Sequence, residues 1–297
     1  MPALYKSLFG FLAVLSLVNA SGCMPFKQAR VAAVAFTLED VANAAAKQSD
    51  VAIVREGSPA YLMLISGLIE AYPENKDLLI AGSRAYTSYA SSFMTGEDEE
   101  ELEAIYRKAK LYGFRSLSGR ADFAEAASGS LDDFGEVLRR YGKKDVPALF
   151  WTANAWAGLV SIRPDSVESL ADIPALEATV RRIIELDESF YYGGPHLLMA
   201  VFLAAKPAIM GGNPAESLRH FERAFALGSD QLLMSKVLFA DYYARSIGDR
   251  ELFVKTLEEV IEAPVDNVPE LTLANVVAKN KAKKLLDETE ESFVEQP

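Results

Sequence analysis

The 297-residue sequence contains a single cysteine, Cys23. No disulfide can form within the chain, so packing alone has to hold its core. Free cysteines are usually buried inside regular secondary structure, where they behave as small apolar side chains. Cys23 lies outside any segment with helical or strand periodicity. Its position therefore indicates a chemical role for the thiol rather than a role in packing.

Residues that commonly carry catalysis or bind metals are scarce. The chain has two histidines, His196 and His220, too few for a histidine-based metal centre. The motifs His-Glu-x-x-His, Gly-x-Ser-x-Gly and Gly-x-x-x-x-Gly-Lys are all missing from it. We therefore expect a protein that is not an enzyme and that holds neither a cofactor nor a metal.

Positive charge is also in deficit. The chain has 30 basic and 42 acidic residues, and its formal net charge is −12. This balance excludes nucleic-acid binding through a general basic surface. Half of the residues are hydrophobic, enough for one sizeable core or two small ones.

The first 22 residues have the composition of a signal peptide. Lys6 precedes an uncharged, mostly apolar run from Leu8 to Ala20. A membrane-spanning helix needs about 20 apolar residues, so this run is too short to be one. We predict a signal peptide over residues 1–22 and a mature chain over residues 23–297.

The small residues at positions 20–22 lead directly to Cys23. They resemble the bacterial lipobox, in which the signal peptide is cut before a cysteine that receives fatty acyl groups such as palmitate. The alternative is a plain secretory signal with a coincidental cysteine beside it. We expect a lipid anchor at Cys23, because two acyl chains suffice for stable membrane attachment. Met24 follows instead of aspartate, so we expect the periplasmic side of the outer rather than the inner membrane.

The rest of the chain has helical periodicity, and strand patterns are scarce, which predicts an all-α protein. Helices are expected over Gln28–Lys47 and, with Pro59 at its first position, over Pro59–Tyr72. The acidic tail from Asp287 to Pro297 is expected to be frayed.

Repeated helical hairpins are the most informative pattern. Phe221 and Leu257 occupy equivalent positions 36 residues apart, close to the tetratricopeptide period of about 34. Four pairs are predicted, with first helices over Asp77–Phe93, Pro147–Ile162, Gly194–Met210 and Asp230–Ile247. The buried positions of the second helices are predicted as Leu102, Tyr106 and Ala109; Leu176, Val180 and Ile183; Phe221, Ala224 and Leu227; and Phe253, Leu257 and Val260. With extra helices at both ends, these pairs are expected to form a tetratricopeptide-like stack. The alternative is an irregular helical domain, because its amphipathic helices would have the same 3.6-residue period.

About 200 residues, from Val54 to Ile261, resemble the TatT family. The most specific segments are YGGPH at 192–196, KP at 206–207 and GG at 211–212. TatT proteins are the lipoprotein T components associated with TRAP transporters, the tripartite ATP-independent periplasmic carriers. The resemblance implies a non-enzymatic periplasmic accessory, a homotrimer in which each protomer is pierced by a pore or cavity.

Two functions follow as alternatives. In the first, the protein docks the solute-binding protein of a TRAP-type transporter, and it holds or passes an organic-acid or hydrophobic ligand. In the second, it is a scaffold lipoprotein whose repeats bind peptide segments in an open concave groove during envelope assembly. An internal passage would favour the first function, and an open groove the second.

The candidate ligand or pore residues are Trp151, Trp156, Tyr191, Tyr192, His196, Lys206 and Met210. Lys206 is expected inside a helix that Pro207 kinks, so that its ammonium group turns inward toward a carboxylate ligand. Each candidate has a structural alternative, because aromatic residues at helical spacing are often core and Gly-Pro clusters form turns. His220, beside Phe221 in a repeat helix, is expected to be a packing residue.

Overall fold

A computed structural model describes residues 37–94, 99–119 and 123–293. Cys23 and the predicted signal peptide lie outside these ranges. The chain divides into two units, residues 1–44 and 45–297. Residues 37–44, the described part of the first unit, are helical, in agreement with the later part of the helix expected over Gln28–Lys47; residues 28–36 lie outside the described ranges. No strand occurs in the described ranges, and the all-α prediction is confirmed.

Helices account for nearly all of the described second unit. In chain order the α-helices are α1 (Val51–Ala71), α2 (Lys76–Phe93), α3 (Glu99–Leu117), α4 (Phe123–Ala127), α5 (Leu131–Leu138), α6 (Val146–Ile162), α7 (Val167–Asp187), α8 (Phe190–Ala205), α9 (Pro214–Gly228), α10 (Met234–Leu238), α11 (Arg250–Glu262), α12 (Thr272–Asp287) and α13 (Thr289–Ser292). Single 3-10 turns occupy Lys143–Asp145, Ala208–Met210 and Pro269–Leu271.

The four predicted hairpins are present. They pair α2 with α3, α6 with α7, α8 with α9, and α10 with α11, and α1 and α12 are the extra helices at the ends. The stack is continuous, because α3 also packs on α6 and α7 on α8. Most of the apolar positions predicted for the second helices are buried: Tyr106, Ala109, Leu176, Val180, Ile183, Phe221, Ala224, Phe253, Leu257 and Val260.

Side-chain caps set where several helices begin. Asn75 accepts a hydrogen bond from the Leu78 amide at the start of α2, and Asn213 does the same for Glu216 at the start of α9. Caps of this kind satisfy amides that have no partner within the helix. Short turns between the helices of a pair follow from these defined ends.

The predicted start of the helix at Pro59 is wrong. Helix α1 begins at Val51, because Asp50 Oδ1 accepts hydrogen bonds from the amides of Ala52 and Ile53 at 3.0 and 3.2 Å. Pro59 lies inside the helix, where it removes one backbone hydrogen bond. Near it the Ser58 hydroxyl donates to the Val54 carbonyl at 2.6 Å.

Helix α8 also differs from its prediction. It ends at Ala205, and Lys206 is an extended cap residue with φ −76° and ψ 139°. The residue before a proline is disfavoured in helical geometry, which ends the helix here. Pro207 therefore lies after the helix, and the prediction of a Gly194–Met210 helix kinked at Lys206-Pro207 is wrong.

The last hairpin contains an irregularity. Helix α10 continues as a π-helix over Phe239–Ala244, which brings Phe239 and Tyr243 into a stack with centroids 5.0 Å apart. At the carboxyl end, Phe293 packs edge-on against Phe253, directly after helix α13. None of the described helices combines the length and the apolarity needed to cross a bilayer.

Candidate functional site

A sharp bend opens α8. Tyr191, Tyr192 and Gly193 have φ values of 47°, 59° and 77°, all in the left-handed region. This conformation is costly for tyrosine, and such strain is concentrated at binding sites and switches. Gly193 is required at its position, since a Cβ atom there would lie 3.0 Å from Ala224 Cα. The bend fixes the direction in which α8 leaves α7.

Aromatic rings collect at this bend. The Tyr191 ring centroid lies 5.2 Å from that of Trp151 and 6.0 Å from that of Tyr192. The Arg84 guanidinium lies over the other side of the cluster, 5.3 Å from the Trp151 centroid. Burial raises the pKa of Tyr191, which keeps its hydroxyl protonated. The structure thus brings three of the candidate residues together, and we call Trp151, Tyr191 and Tyr192 with Arg84 the aromatic cluster.

Trp156 belongs to a different environment, although it lies on the same helix as Trp151. Its side chain is fully buried, and its Nε1–H donates to Asp172 Oδ2. Lys110 pairs with the same carboxylate at 2.7 Å, and its ammonium lies 4.7 Å from the Trp156 ring centroid. These contacts make Trp156 a core residue that ties α6 to α3 and α7.

The two histidines meet on neighbouring helices. His196 Nδ1 in α8 and His220 Nδ1 in α9 are 2.8 Å apart, and His196 Nε2 is 3.1 Å from Glu188 Oε2. The carboxylate can only accept, so His196 donates from Nε2, and its Nδ1 accepts the proton of His220 Nδ1. Arg223 donates to both carboxylate oxygens of Glu188, including the Oε2 atom that His196 contacts. We call Glu188, His196, His220 and Arg223 the histidine relay.

Charges in the relay are fixed by its surroundings. Hydrogen bonds from Arg223 and His196 lower the pKa of Glu188 to about 2, so the carboxylate stays ionised. Burial lowers the pKa of His196, against the hydrogen bond to Glu188, which acts to raise it. Burial also lowers the pKa of His220, and the neighbouring His196 adds to the effect. Both imidazoles are therefore neutral at pH 7.

Lys206 points into an ion pair and not into an open space. Its Nζ donates to Glu177 Oε2 at 2.6 Å, and only 9% of the side chain is exposed. Arg181 binds the same carboxylate at 2.6 Å. Burial acts to raise the pKa of Glu177, but the two cations outweigh it and the pKa is lowered. Met210 contributes the last residue of the 3-10 turn after α8, and its side chain lies outside the described part of the structure.

A model of the TRAP transporter T-component family matches residues 47–293. The chain belongs to this family. Membership makes it an accessory component of a TRAP transport system, with a location in the periplasm or at the membrane. A comparison with curated proteins found no match.

The sequence of this T component points to only one of the four relay residues, His196. It predicts His220 to be a packing residue, and Glu188 and Arg223 are not among its candidates. The available signal was the offset of 24 residues between the only two histidines, one on each helix of a predicted hairpin. Within the described ranges no group of three or more His, Cys, Asp and Glu residues is arranged to hold a metal ion.

Proposed function

We propose that the chain is a periplasmic lipoprotein, anchored at Cys23 to the outer membrane, that docks the solute-binding protein of a TRAP-type transporter. The docking surface is centred on the loop 206–212, which we call the docking loop. Family membership supports the transport role. The observation that supports the docking role is a rigid loop with one solvent-exposed aliphatic side chain.

The docking loop is rigid because its backbone closes on itself. The Gly212 amide donates to the Pro207 carbonyl at 3.0 Å, and the Asn213 amide to the Leu203 carbonyl at 2.9 Å. Gly211 has a φ of 87°, and a Cβ atom at Gly212 would lie 1.9 Å from the Lys206 carbonyl oxygen. The two glycines are therefore needed for the fold of the loop.

Ile209 is 95% exposed at the tip of this loop. Single exposed aliphatic residues are common on protein surfaces and need no partner. A loop whose backbone is already fixed loses little entropy on binding, which favours a rigid anchor at a transient interface. The buried pair of Lys206 and Glu177 fixes the base of the loop to α7. Lys206 thus positions the docking loop and does not itself meet a ligand.

The ligand-holding part of the function is assigned to the aromatic cluster and the neighbouring His196. Strained tyrosines are typical of binding sites, and aromatic rings suit a ligand with an apolar body. We also propose a homotrimer, as the family resemblance implies. Its mass in solution, measured by light scattering after size-exclusion chromatography, would be three times that of the chain.

Chemical cross-linking tests the docking role. A TRAP-type solute-binding protein should be captured from a periplasmic extract and identified by mass spectrometry. Ile209→Ser should weaken this capture about tenfold or more. A tenfold loss corresponds to about 1.4 kcal/mol of binding free energy, which is typical when an anchor residue of an interface is truncated. The matched control is Val167→Ser, because Val167 is 86% exposed at the start of α7. Equal capture by the Ile209 and Val167 variants would rule out the docking loop, and recovery of envelope proteins instead would favour the scaffold function.

A further inference from the structure

An open site on α1 and α3 is lined by none of the residues of the aromatic cluster. A cavity of about 540 Å³ is bounded by the carboxyl end of α1, by the turn after it, and by one face of α3. The α3 face contributes Arg107, Lys108, Leu111, Tyr112 and Arg115. Sites for small molecules have volumes of roughly 300–1,000 Å³, so the size suits such a ligand. We call this cavity the α1–α3 groove.

The charge of the groove is opposite to that of the protein. Its lining has three basic residues and one acid, Glu70, whereas the whole chain has a net charge of −12. Arg107 is already neutralised, since it pairs with Glu103 at 2.6 Å and reaches Glu168 at 3.5 Å. The other two cations decide what the groove can bind.

Lys108 and Arg115 are held without carboxylates. Lys108 Nζ lies 5.1 and 5.9 Å from the ring centroids of Tyr86 and Tyr112. Arg115 donates to the Pro73 carbonyl at 2.7 Å, and its guanidinium lies 5.9 Å from the Tyr112 centroid. Among the residues that the structure describes, neither cation forms an ion pair with a carboxylate. Both keep hydrogen-bond donors available for an added anion.

Lys108 also keeps its charge. Burial acts to lower the pKa of Lys108, but its interaction with the hydroxyls of Tyr86 and Tyr112 outweighs this effect, and the pKa is raised. These hydroxyls are fixed in turn, because Ser66 Oγ lies 2.7 Å from the Tyr86 hydroxyl oxygen and 3.3 Å from that of Tyr112. The ammonium group is therefore positioned before any ligand arrives.

The remaining surface of the groove is apolar. Ile69 and Tyr112 are buried beneath it, whereas Leu111 is 54% exposed. An inorganic anion would leave this apolar surface uncovered. A ligand with a hydrocarbon body would cover it and gain about 25 cal/mol per Å² of apolar surface removed from water.

We propose that the α1–α3 groove binds a small amphipathic anion, with its charged head between Lys108 and Arg115 and its hydrocarbon body on Ile69, Leu111 and Tyr112. The site is separate from the docking loop, so this inference can hold or fail independently of the docking role.

Methyl NMR provides a test that also locates the ligand. Octanoate is added to the protein with ¹³C-labelled isoleucine and leucine methyl groups, and octan-1-ol and acetate are added in parallel. Octanoate should shift the methyl signals of Ile69 and Leu111 saturably. Octanol, which lacks the charge, and acetate, which lacks the chain, should each bind about tenfold more weakly or worse, a factor equivalent to about 1.4 kcal/mol.

Variants test the contributions of the charged head and of the hydrocarbon body separately. Lys108→Gln and Arg115→Gln should each weaken octanoate binding about tenfold, as expected when a charge-assisted hydrogen bond is lost. Leu111→Gln, at an exposed position that the fold does not need, should weaken octanoate but not acetate. The control is Lys255→Gln, an exposed lysine on α11, which should leave binding unchanged.

Three results would overturn the inference. The first is equal affinity for octanoate and octanol. The second is unchanged octanoate binding in both cation variants. The third is a shift of the Ile69 and Leu111 methyl signals by a solute-binding protein with no response to octanoate, since the groove would then be a protein interface.

Discussion

His196 and His220 share one proton between their Nδ1 atoms, 2.8 Å apart, across the hairpin of α8 and α9. The direction of the hydrogen bond is set from outside the pair, by Glu188 at the other ring nitrogen of His196. Protonation of both rings would place two N–H groups against each other, and burial disfavours the charged form of either ring. The hairpin is therefore most stable when both rings are neutral.

The first prediction is a loss of stability on mild acidification. Both histidines have folded-state pKa values below the unfolded value of about 6.5, so the unfolded chain binds more protons below that pH. The two neutral histidines should contribute fully to the free energy of unfolding above pH 6.5. Below that pH their contribution should decrease, and the free energy of unfolding should fall toward pH 5. Glu188 contributes only at lower pH, since its carboxylate titrates between the unfolded value of about 4.5 and the folded value of about 2.

Thermal unfolding followed by circular dichroism between pH 7.5 and pH 5 measures this loss. His220→Asn keeps a donor for His196 Nδ1 but does not titrate, so the melting temperature of this variant should depend less on pH. An equal pH dependence in the variant and the parent would contradict the assignment to the relay. The charges of Arg181, Glu216 and Arg219 also influence the pKa of His220, and all three are kept in the variant.

The second prediction concerns the bend before α8. Gly193→Ala should destabilise the protein by about 2 kcal/mol, because alanine would be strained at φ 77° and its Cβ would press on the backbone of Ala224. Gly57→Ala is the matched control, since Gly57 is exposed inside α1 with no atom within 4 Å of an added Cβ. It should stabilise by about 0.5–1 kcal/mol. Urea unfolding distinguishes the two, and equal effects would argue against the strained bend.

The third prediction concerns the base of the docking loop. Lys206→Met should cost about 1–2 kcal/mol, because it removes a buried charge-assisted hydrogen bond while Arg181 still pairs with Glu177. Arg181→Met should cost less than about 0.5 kcal/mol, because that side chain is 54% exposed. Equal costs for the two substitutions, measured by urea unfolding, would show that Lys206 is a surface residue in solution.

The fourth prediction tests the lipid anchor. Cys23→Ala should abolish both incorporation of labelled fatty acid and membrane association, because Cys23 is the only cysteine in the chain. Ser21→Ala keeps a small residue before the cysteine and should leave both unchanged. Label retained in the Cys23 variant after membrane fractionation would disprove the anchor.

The repeat architecture could be predicted from the sequence because it follows from local patterns. Periodic apolar residues such as Leu176 and Val180 identify the buried face of a helix, and residues such as Asn75 and Asn213 identify where helices begin. The errors arose where two signals compete. A helix start at Pro59 is the wrong prediction because Asp50 caps the helix earlier in the chain, and a helix through Lys206 is wrong because α8 ends before Pro207.

The candidate site was harder to predict because its geometry depends on contacts between helices. The sequence identified Trp151, Tyr191 and His196, but nothing local indicates that His196 faces His220 or that Lys206 meets Glu177. The left-handed conformation of Tyr191 and Tyr192 could not be predicted from the sequence either, since tyrosine does not favour positive φ. The roles of these side chains in ligand binding stay predictions.

The two tryptophans of the chain both lie in α6, at positions 151 and 156, and this makes the intrinsic fluorescence of the protein a local signal. Trp156 is buried in the core beside Lys110 and Asp172, whereas Trp151 belongs to the aromatic cluster and lies next to Arg84. In a Trp156→Phe variant, all tryptophan emission would therefore come from the proposed ligand site. The lining of the α1–α3 groove includes neither tryptophan, so occupation of the groove should change that emission less than occupation of the aromatic cluster, and an optical titration can compare the two sites.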